Sequence, residues 1–316
     1  MTTVILDADT LGRDMDLSIF EQFGEVRVYP TVADSEIASA VKEADVVVVN
    51  KKRISRETAG DPKRLRLVAV TATGYDNVDL AFCRERGIAV TNVKGYSTDC
   101  VAQVTVTMVL SLIARLSSYT EYVNSGAYTA SGIQNRLTPT YHEIAGKTWG
   151  IFGLGNIGKR VAAIARALGC RVICTKRTPE EGYECVSLDT LCREADILTV
   201  HTPLTPETRG AIGKRELSLM KSDAILVNVA RGAVLDEAAV AEAVLSNRIG
   251  GFGADVYSVE PFPKDSPYTA LTGRDNVILT PHMAWGGYET RVRLLHELCL
   301  NIEDFLSGGT RNRVDL

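Results

Sequence analysis

The sequence lacks long hydrophobic runs, has few histidines and keeps its cysteines apart, and each shortage excludes a class of protein. No apolar run approaches the roughly 18 residues of a membrane helix, and the opening MTTVILDADT lacks the basic and apolar segments of a secretory signal. The seven cysteines form no Cys-x-x-Cys pair, and only four histidines accompany them. We therefore predict no metal site, no disulfide framework and no membrane partner, and a cytoplasmic location.

The chain also has no excess of positive charge. The chain has 35 basic and 39 acidic residues, interspersed, with a formal net charge of −4. This balance argues against a nucleic-acid partner. With 316 residues, 45% of them hydrophobic, the chain should form a globular protein of two domains.

Short β-rich runs alternate with helical stretches along most of the chain. In the first third, VILDAD, VRVYP, DVVVVN, LRLVAVTAT and IAVTN are separated by helical stretches such as 34–44 and 79–86. A second series predicts strands at 148–152, 171–174, 196–201, 224–229, 251–256 and 277–280. A long apolar helix follows Ser97, and another helix closes the chain. This alternation indicates parallel sheets covered by helices.

The order of these series predicts a discontinuous domain. We expect an α/β protein with two doubly wound parallel sheets, in which a Rossmann cofactor domain (98–286) is inserted into a flavodoxin-like substrate domain (1–97 and 287–316). Residues 118–147 show little periodicity, and we predict a long loop or interface arm there.

A glycine motif predicts a dinucleotide site. Strand TWGIF runs into Gly153, Gly155 and Gly158, and an amphipathic helix follows. The first glycine allows a tight turn, the second lets pyrophosphate approach the backbone, and the third allows close packing of helix and strand. Backbone amides at the helix start, including those of Asn156 and Ile157, would receive the pyrophosphate.

The end of the next predicted strand bears on the choice of nucleotide. An acidic residue there would bind the ribose 2′-hydroxyl of NAD, whereas a basic one accommodates the 2′-phosphate of NADP. This chain has Lys176 and Arg177, followed by Glu180 and Glu181, which could fold back toward a ribose. We favour NADP(H) and leave NAD(H) as the alternative.

Further motifs extend the pattern beyond the glycine turn. They are ATGYDNVDLAFCRERGIAVTN at 72–92, HTPLTPETRG at 201–210, NVARGAVLDEAAV, GFGADVYSVEPFP and NVILTPHMAW. Together they resemble the D-isomer-specific 2-hydroxyacid dehydrogenase family over almost the whole chain. GYSTDCVAQ and EIAGKTWGIFGLGNIG, with the N-terminal segment, are most similar to its glycerate dehydrogenase (hydroxypyruvate reductase) branch.

Reduction of a 2-oxo acid needs a cation for the carboxylate and a proton donor for the carbonyl oxygen. Arg231 can bind the carboxylate and polarise the carbonyl group. His282 can donate the proton, since histidine titrates near neutral pH, and Glu260 would favour its protonated form. The resemblance implies the same three catalytic roles.

The resemblance also implies contacts for cofactor and substrate. Asp255 would lie near the nicotinamide carboxamide, and Thr202, Pro203, Thr208, Val229 and Ala230 would line the cofactor. His201 of the same loop is interpreted as structural. Gly74, Tyr75, Lys94 and Tyr96 would contact the substrate; many relatives have a small residue or proline in place of Lys94, which could simply be solvated. Trp285 could close the pocket beside His282 or only pack in the interior.

These observations predict hydride transfer between a nicotinamide cofactor and a small 2-oxo or (R)-2-hydroxy acid, with hydroxypyruvate or glyoxylate as the favoured substrate. One alternative is a reductase for a bulkier 2-oxo acid, which pocket size would distinguish. Another is a nucleotide-sensing, corepressor-like binding protein of the same fold, which would bind nucleotide without turnover. The resemblance further implies a homodimer.

Overall fold

A computed structural model describes all 316 residues, and its first third alternates between strands and short helices. The elements are β1 (Thr2–Ile5), β2 (Glu25–Val28), α1 (Ile37–Val41), β3 (Val46–Val49), α2 (Arg56–Ala59), β4 (Leu67–Val70), α3 (Leu80–Glu85) and β5 (Ala89–Thr91). The helix predicted over 34–44 starts as a 3₁₀ turn at Asp34–Glu36 and continues as α1. Two further 3₁₀ segments cover Ala8–Leu11 and Leu17–Phe23.

The middle of the chain contains the second series. Its first part comprises α4 (Thr98–Ile113), α5 (Leu116–Asn124), α6 (Ala127–Ser131), β6 (Thr148–Phe152), α7 (Asn156–Ala167), β7 (Arg171–Thr175), β8 (Glu184–Cys185) and α8 (Leu188–Glu194). Its second part comprises β9 (Ile197–Val200), α9 (Lys214–Leu219), β10 (Ile225–Asn228), α10 (Glu237–Leu245), β11 (Gly251–Ala254) and β12 (Val277–Leu279). The 3₁₀ segments here are Gly232–Val234 and Pro267–Leu271. All six predicted strands are present; the two-residue β8 was not predicted.

The chain divides into two compact units. One contains residues 1–97 and 286–316, including the terminal helix α11 (Tyr288–Leu306), and the other contains residues 98–285. Gly286 therefore belongs to the first unit, one residue before the boundary expected from sequence. Its carbonyl accepts a hydrogen bond of 2.9 Å from Arg291 Nε of α11.

The first unit is built on a five-stranded sheet. Its strands follow the order β2-β1-β3-β4-β5, and every neighbouring pair is parallel. This is the flavodoxin-like order. A core containing Val47, Val68 and Val90 covers one face of the sheet.

The second unit is built on a seven-stranded sheet, also parallel throughout, in the order β12-β11-β10-β9-β6-β7-β8. This is the Rossmann order with a seventh strand. Adjacent residues point to opposite faces: Ile151 and Ile225 pack into one core, and Phe152 and Leu226 into the other. The predicted fold class is confirmed.

The prediction of a loop over 118–147 is wrong for its first part, where α5 and α6 form. Neither helix contains a buried residue, and both are rich in Ser and Thr, which favour a helix only weakly. Residues 132–147 contain neither helix nor strand.

No single helix has the length and apolar character to cross a membrane. Only α4 and α5 taken together meet that criterion, and the chain bends by 68° between them.

Candidate active site

The predicted catalytic and cofactor residues follow the carboxyl ends of strands in the 98–285 unit. Gly153 follows β6, Thr202 follows β9, Arg231 follows β10, and His282 follows β12. In a parallel sheet these ends share one edge. The strand order reverses between β6 and β9, and ligands of open α/β sheets bind at such switch points.

Two of the three glycines are required by the turn itself. Gly153 adopts φ +102°, and a Cβ there would lie 2.6 Å from the backbone nitrogen of Thr202. A Cβ on Gly158 would lie 2.2 Å from the carbonyl oxygen of Gly153. Both positions therefore exclude any side chain.

Gly155 has no such packing requirement. No heavy atom lies within 4 Å of the position that its Cβ would occupy, and its φ of −86° is open to other residues. Helix α7 begins at the next residue with no side chain capping its first turn. The open space and the backbone N–H groups of Asn156 and Ile157 fit an approaching pyrophosphate.

The basic turn after β7 contains an ion pair. Lys176 is half-buried and bonds to Glu180, while Arg177 is exposed. Glu180 also bonds to Lys159, on the glycine helix α7. The carboxylate considered as a ribose ligand is thus held by two ammonium groups.

His282 and Glu260 form the expected pair. Nδ1 of His282 donates to Oε2 of Glu260 over 2.6 Å, which fixes the orientation of the ring. The second carboxylate oxygen, Oε1, accepts from the backbone nitrogen of Tyr257 at 3.0 Å. The backbone therefore holds one oxygen of Glu260 while the other oxygen contacts the imidazole.

Asp255 organises the loop that carries His282. The side chain is only 1% exposed, and its Oδ1 accepts from Thr280 Oγ1 at 2.6 Å and from Met283 N at 2.8 Å. Oδ2 accepts from Ala284 N at 2.8 Å. These bonds bracket His282, whose φ of 53° is rare for a residue other than glycine. A contact with the carboxamide remains a prediction.

The Arg231 turn is held from two sides. Asn228 Nδ2 donates to the carbonyl oxygen of Arg231 at 2.9 Å, and Asn228 Oδ1 accepts from Ala230 N at 3.0 Å. A Cβ on Gly232 would lie 2.0 Å from the carbonyl carbon of Tyr257. The Arg231 turn therefore packs directly against the backbone that anchors Glu260.

A family model and a full-length relative both match this chain. Residues 106–284 match the family described as D-isomer specific 2-hydroxyacid dehydrogenase, NAD binding domain. The chain is 36% identical over 316 residues to a glycerate dehydrogenase of Methylorubrum extorquens, covering 100% of both proteins.

The chain belongs to the D-isomer specific 2-hydroxyacid dehydrogenase family.

Two solved structures agree with this assignment. An acyclic imino acid reductase in complex with NADPH and D-Arg superposes with a TM-score of 0.87 at 28% identity, over 99% of this chain and 100% of that one. D-lactate dehydrogenase from Aquifex aeolicus, complexed with NAD and lactic acid, also gives a TM-score of 0.87 at 28% identity, over 100% and 99%. The predicted family and enzyme class are confirmed: this dehydrogenase is an oxidoreductase with a nicotinamide cofactor.

In this dehydrogenase the side chain of Thr208 forms hydrogen bonds within the loop after β9. Thr208 Oγ1 donates to the carbonyl oxygen of Pro203 at 2.7 Å and accepts from Thr205 N at 2.8 Å. Thr202 is buried against the glycine turn. These residues shape the loop, and their contacts with the cofactor remain predictions.

Three other predicted contacts lie in or near the hydrophobic cores. Val229 is buried, Ala230 is half-buried, and Trp285 packs against the core on the α4 side of the sheet. A role of Trp285 at the substrate remains a prediction.

The predicted substrate residues lie on two adjoining loops of the first unit. Gly74 and Tyr75 follow β4 and are half-buried; Lys94, exposed, and Tyr96, buried, follow β5. The backbone nitrogen of Val93 donates to the carbonyl oxygen of Ala72 at 3.0 Å, joining the loops. The four predicted residues therefore share one edge of the five-stranded sheet.

Sequence reasoning missed the residues that position the catalytic groups. Asn228, Tyr257 and Thr280 were not singled out, and neither were Gly232 and Lys159. A glycine directly after a candidate catalytic arginine could have signalled close backbone approach. Thr280 and Lys159 carry no local signal, because their partners Asp255 and Glu180 are distant in the sequence. Asn228 and Tyr257 bond to residues only two or three positions away, but no motif marks them.

Proposed function

We propose that this dehydrogenase reduces a small 2-oxo acid, hydroxypyruvate or glyoxylate, to the (R)-2-hydroxy acid and prefers NADP(H) to NAD(H). The principal observation is the 2.6 Å bond between His282 and Glu260 at the sheet edge that also carries Arg231. The similarity to a glycerate dehydrogenase supports the choice of substrate.

Three side chains carry out the chemistry in this proposal. Arg231 binds the substrate carboxylate and stabilises negative charge on the carbonyl oxygen. Because Glu260 engages Nδ1, the proton given to that oxygen comes from Nε2 of His282. In the reverse direction the neutral imidazole accepts the hydroxyl proton, and Glu260 stabilises the resulting cation.

A reduced nicotinamide, when bound, supplies the hydride for the carbonyl carbon. In our proposal the amides of Asn156 and Ile157 bind its pyrophosphate, and Lys176 and Arg177 recognise a 2′-phosphate. The rest of the nucleotide would be lined by Thr202, Pro203, Thr208, Val229, Ala230 and Asp255. Preference for NADP(H) depends mainly on the two basic side chains.

The substrate contacts are proposed from the family pattern. The loop with Gly74 and Tyr75 would supply backbone amides to the carboxylate, and Lys94 and Tyr96 would complete the site together with Trp285. The exposed ammonium of Lys94 favours an anionic substrate.

Nicotinamide absorbance with hydroxypyruvate, glyoxylate and a branched-chain 2-oxo acid tests the proposal, with NADPH and NADH measured in parallel. We expect turnover with the two small acids, higher kcat/KM with NADPH, and a roughly 10²- to 10⁴-fold loss of kcat in His282→Gln. Preference for NADH would overturn the nucleotide assignment alone. Turnover restricted to the branched-chain acid would favour a bulkier substrate, and binding without turnover would favour a nucleotide sensor.

We also propose a cytoplasmic homodimer that binds neither nucleic acid nor membrane. Seven of the 15 exposed large hydrophobic residues lie between 110 and 141. Beside them, α5 and residues 271–279 border a groove of about 870 Å³. Exposed apolar side chains concentrated in one stretch of the chain support an interface there. All seven cysteines are thiols, which fits a reducing compartment.

A further inference from the structure

The turn that joins β7 to β8 is held in place at its base. The backbone nitrogen of Val186 donates to the carbonyl oxygen of Cys174 at 2.8 Å, and Thr175 Oγ1 donates to the carbonyl oxygen of Val186 at 3.0 Å. The Sγ atoms of Cys174 and Cys185 are 3.3 Å apart across the strands. These hydrogen bonds join the two ends of residues 176–183, here called the ribose turn.

Helix α7 contacts the ribose turn at two points along one face. Lys159 and Arg166 are seven residues apart, about two helical turns, so they project from the same side. Arg166 Nη2 donates to the carbonyl oxygen of Gly182 at 2.8 Å, and its guanidinium lies 4.7 Å from the centre of the Tyr183 ring. Lys159, near the start of α7, bonds to Glu180. The glycine helix therefore fixes where the turn lies.

Glu180 is bonded on both oxygens by ammonium groups. Oε1 pairs with Lys159 Nζ and Oε2 with Lys176 Nζ. The bonds from Lys159 and Lys176 lower the pKa of the Glu180 carboxyl. Its side chain is 27% exposed, against 41% for Lys159 and 33% for Lys176, so all three remain accessible to a ligand.

Lys159 and Lys176 form an anion-binding site, and the carboxylate of Glu180 occupies it. Two ammonium groups converge on one carboxylate, and Arg177 lies next to Lys176 in the turn. A phosphate monoester carries a charge of about −1.5 to −2 and three acceptor oxygens. It can therefore satisfy both lysines better than one carboxylate can.

We propose that Lys159 and Lys176 bind the adenosine 2′-phosphate of NADP(H) and that Glu180 occupies the place of that phosphate when it is absent. The inference rests on the proposed function only for the presence of a nicotinamide nucleotide. In a Rossmann domain the adenosine ribose lies beside the turn after the second strand. Glu180 then competes with the 2′-phosphate, which weakens NADP(H) binding, while NAD(H) leaves both ion pairs intact.

Binding of adenosine nucleotides to the full-length, cofactor-free protein tests this competition. The probes are adenosine 2′,5′-bisphosphate and 5′-AMP, which differ only in the 2′-phosphate, measured by isothermal titration calorimetry. We expect Glu180→Gln to tighten the bisphosphate about five- to thirtyfold, as the loss of two competing, partly exposed ion pairs would give. We expect Lys159→Gln to weaken it roughly tenfold. Binding of 5′-AMP should stay within about twofold in both variants.

Glu184→Gln is the matched control. Glu184 lies just beyond the ribose turn and pairs with Arg171 instead of Lys159, so its neutralisation should leave both affinities unchanged. If Lys159→Gln does not fold, judged by its thermal transition, Lys176→Gln serves in its place.

Two results would overturn the inference. One is a Lys159→Gln variant that changes the affinities for both probes equally; the other is weaker 5′-AMP binding in Glu180→Gln, which would assign Glu180 to the ribose hydroxyls. Because neither result requires turnover, both are separable from failure of the proposed reaction. Failure of the wild type to bind either probe would instead contradict the nucleotide site itself.

Discussion

Two carboxylates near His282 have different environments and therefore different functions. Asp255 is buried and directs its hydrogen bonds to the backbone and to Thr280 around the histidine. Glu260 is 30% exposed and directs one oxygen to the imidazole. Asp255 stabilises the conformation of the loop, whereas Glu260 can respond to the charge of the ring.

Replacement of Glu260 by Gln should reduce kcat on the order of 10²-fold, because the protonated imidazole loses its anionic partner. KM for the nucleotide should change little, since Glu260 is a positioning residue for His282. Steady-state kinetics with hydroxypyruvate checks the separation of kcat from KM.

The control for this substitution is Glu237→Gln. Oε1 of Glu237 accepts from Ser258 N at 2.7 Å, in the same loop as Glu260 but away from the imidazole. It should keep kcat near the wild-type value. An equal loss in both variants would mean that only the loop structure matters.

His201 is half-buried, and the burial of its ring nitrogen Nδ1 makes it sensitive to acid. Trp149 Nε1 donates to Thr199 Oγ1 at 3.0 Å, Thr199 contacts His201 Nε2 at 3.0 Å, and His201 Nδ1 is buried without a partner. Burial lowers the pKa of His201 to about 3. Its ring therefore stays neutral in the folded state while the unfolded chain takes up a proton below about pH 6.5.

Stability should consequently fall as the pH drops from about 6.5 toward 3, by up to about 1.4 kcal/mol per pH unit from this group. Above pH 6.5 the group contributes no pH dependence. His201→Asn should reduce the acid sensitivity, measured as urea unfolding midpoints from pH 7.5 to pH 4.5. The exposed His142→Asn is the control; parallel curves for wild type and His201→Asn would contradict the assignment.

The three glycines at the start of α7 serve two different purposes: some are needed for folding and one for ligand binding. Gly153 and Gly158 have backbone atoms where a side chain would be, whereas Gly155 faces open space. The elements therefore need two glycines to form, and a ligand needs the third.

Gly155→Ala should leave the thermal stability near that of wild type, while NADPH binding weakens at least roughly tenfold because the methyl group blocks pyrophosphate. Gly158→Ala should destabilise the protein by about 1 to 3 kcal/mol through overpacking. Thermal unfolding and fluorescence titration with NADPH check both. Equal stability losses in the two variants would refute the distinction.

The whole molecule has an apolar surface that a single chain does not cover. Ile133 is 64% exposed and Leu137 is 75% exposed, in the stretch after α6 that contains neither helix nor strand. Burial of such side chains against a second copy stabilises association.

We expect light scattering to give about twice the chain mass of 34.3 kDa for the wild type at micromolar concentration. The double variant Ile133→Glu, Leu137→Glu should be monomeric, because charges in an apolar interface are strongly unfavourable. Val28→Glu changes a residue that is 45% exposed outside this surface and should remain dimeric. A monomeric wild type would remove the homodimer from the proposed function.

Local patterns were sufficient to predict the sheets, the glycine turn and the family. Strand alternation, the spacing of Gly153 to Gly158 and the motifs around Arg231 and His282 depend on neighbouring residues, so they can be recognised along the chain. Helices α5 and α6 were missed because their segments bury no residue and are rich in Ser and Thr, which favour a helix only weakly.

Contacts between distant segments required the folded chain. The bonds of Asp255 to residues 280–284, the approach of Gly232 to Tyr257 and the pairing of Lys159 with Glu180 each join residues at least 21 positions apart. Such contacts depend on strand order and helix position, which no short stretch of sequence encodes. Residue types therefore indicated the chemistry, and packing specified which side chains hold the reacting groups in place.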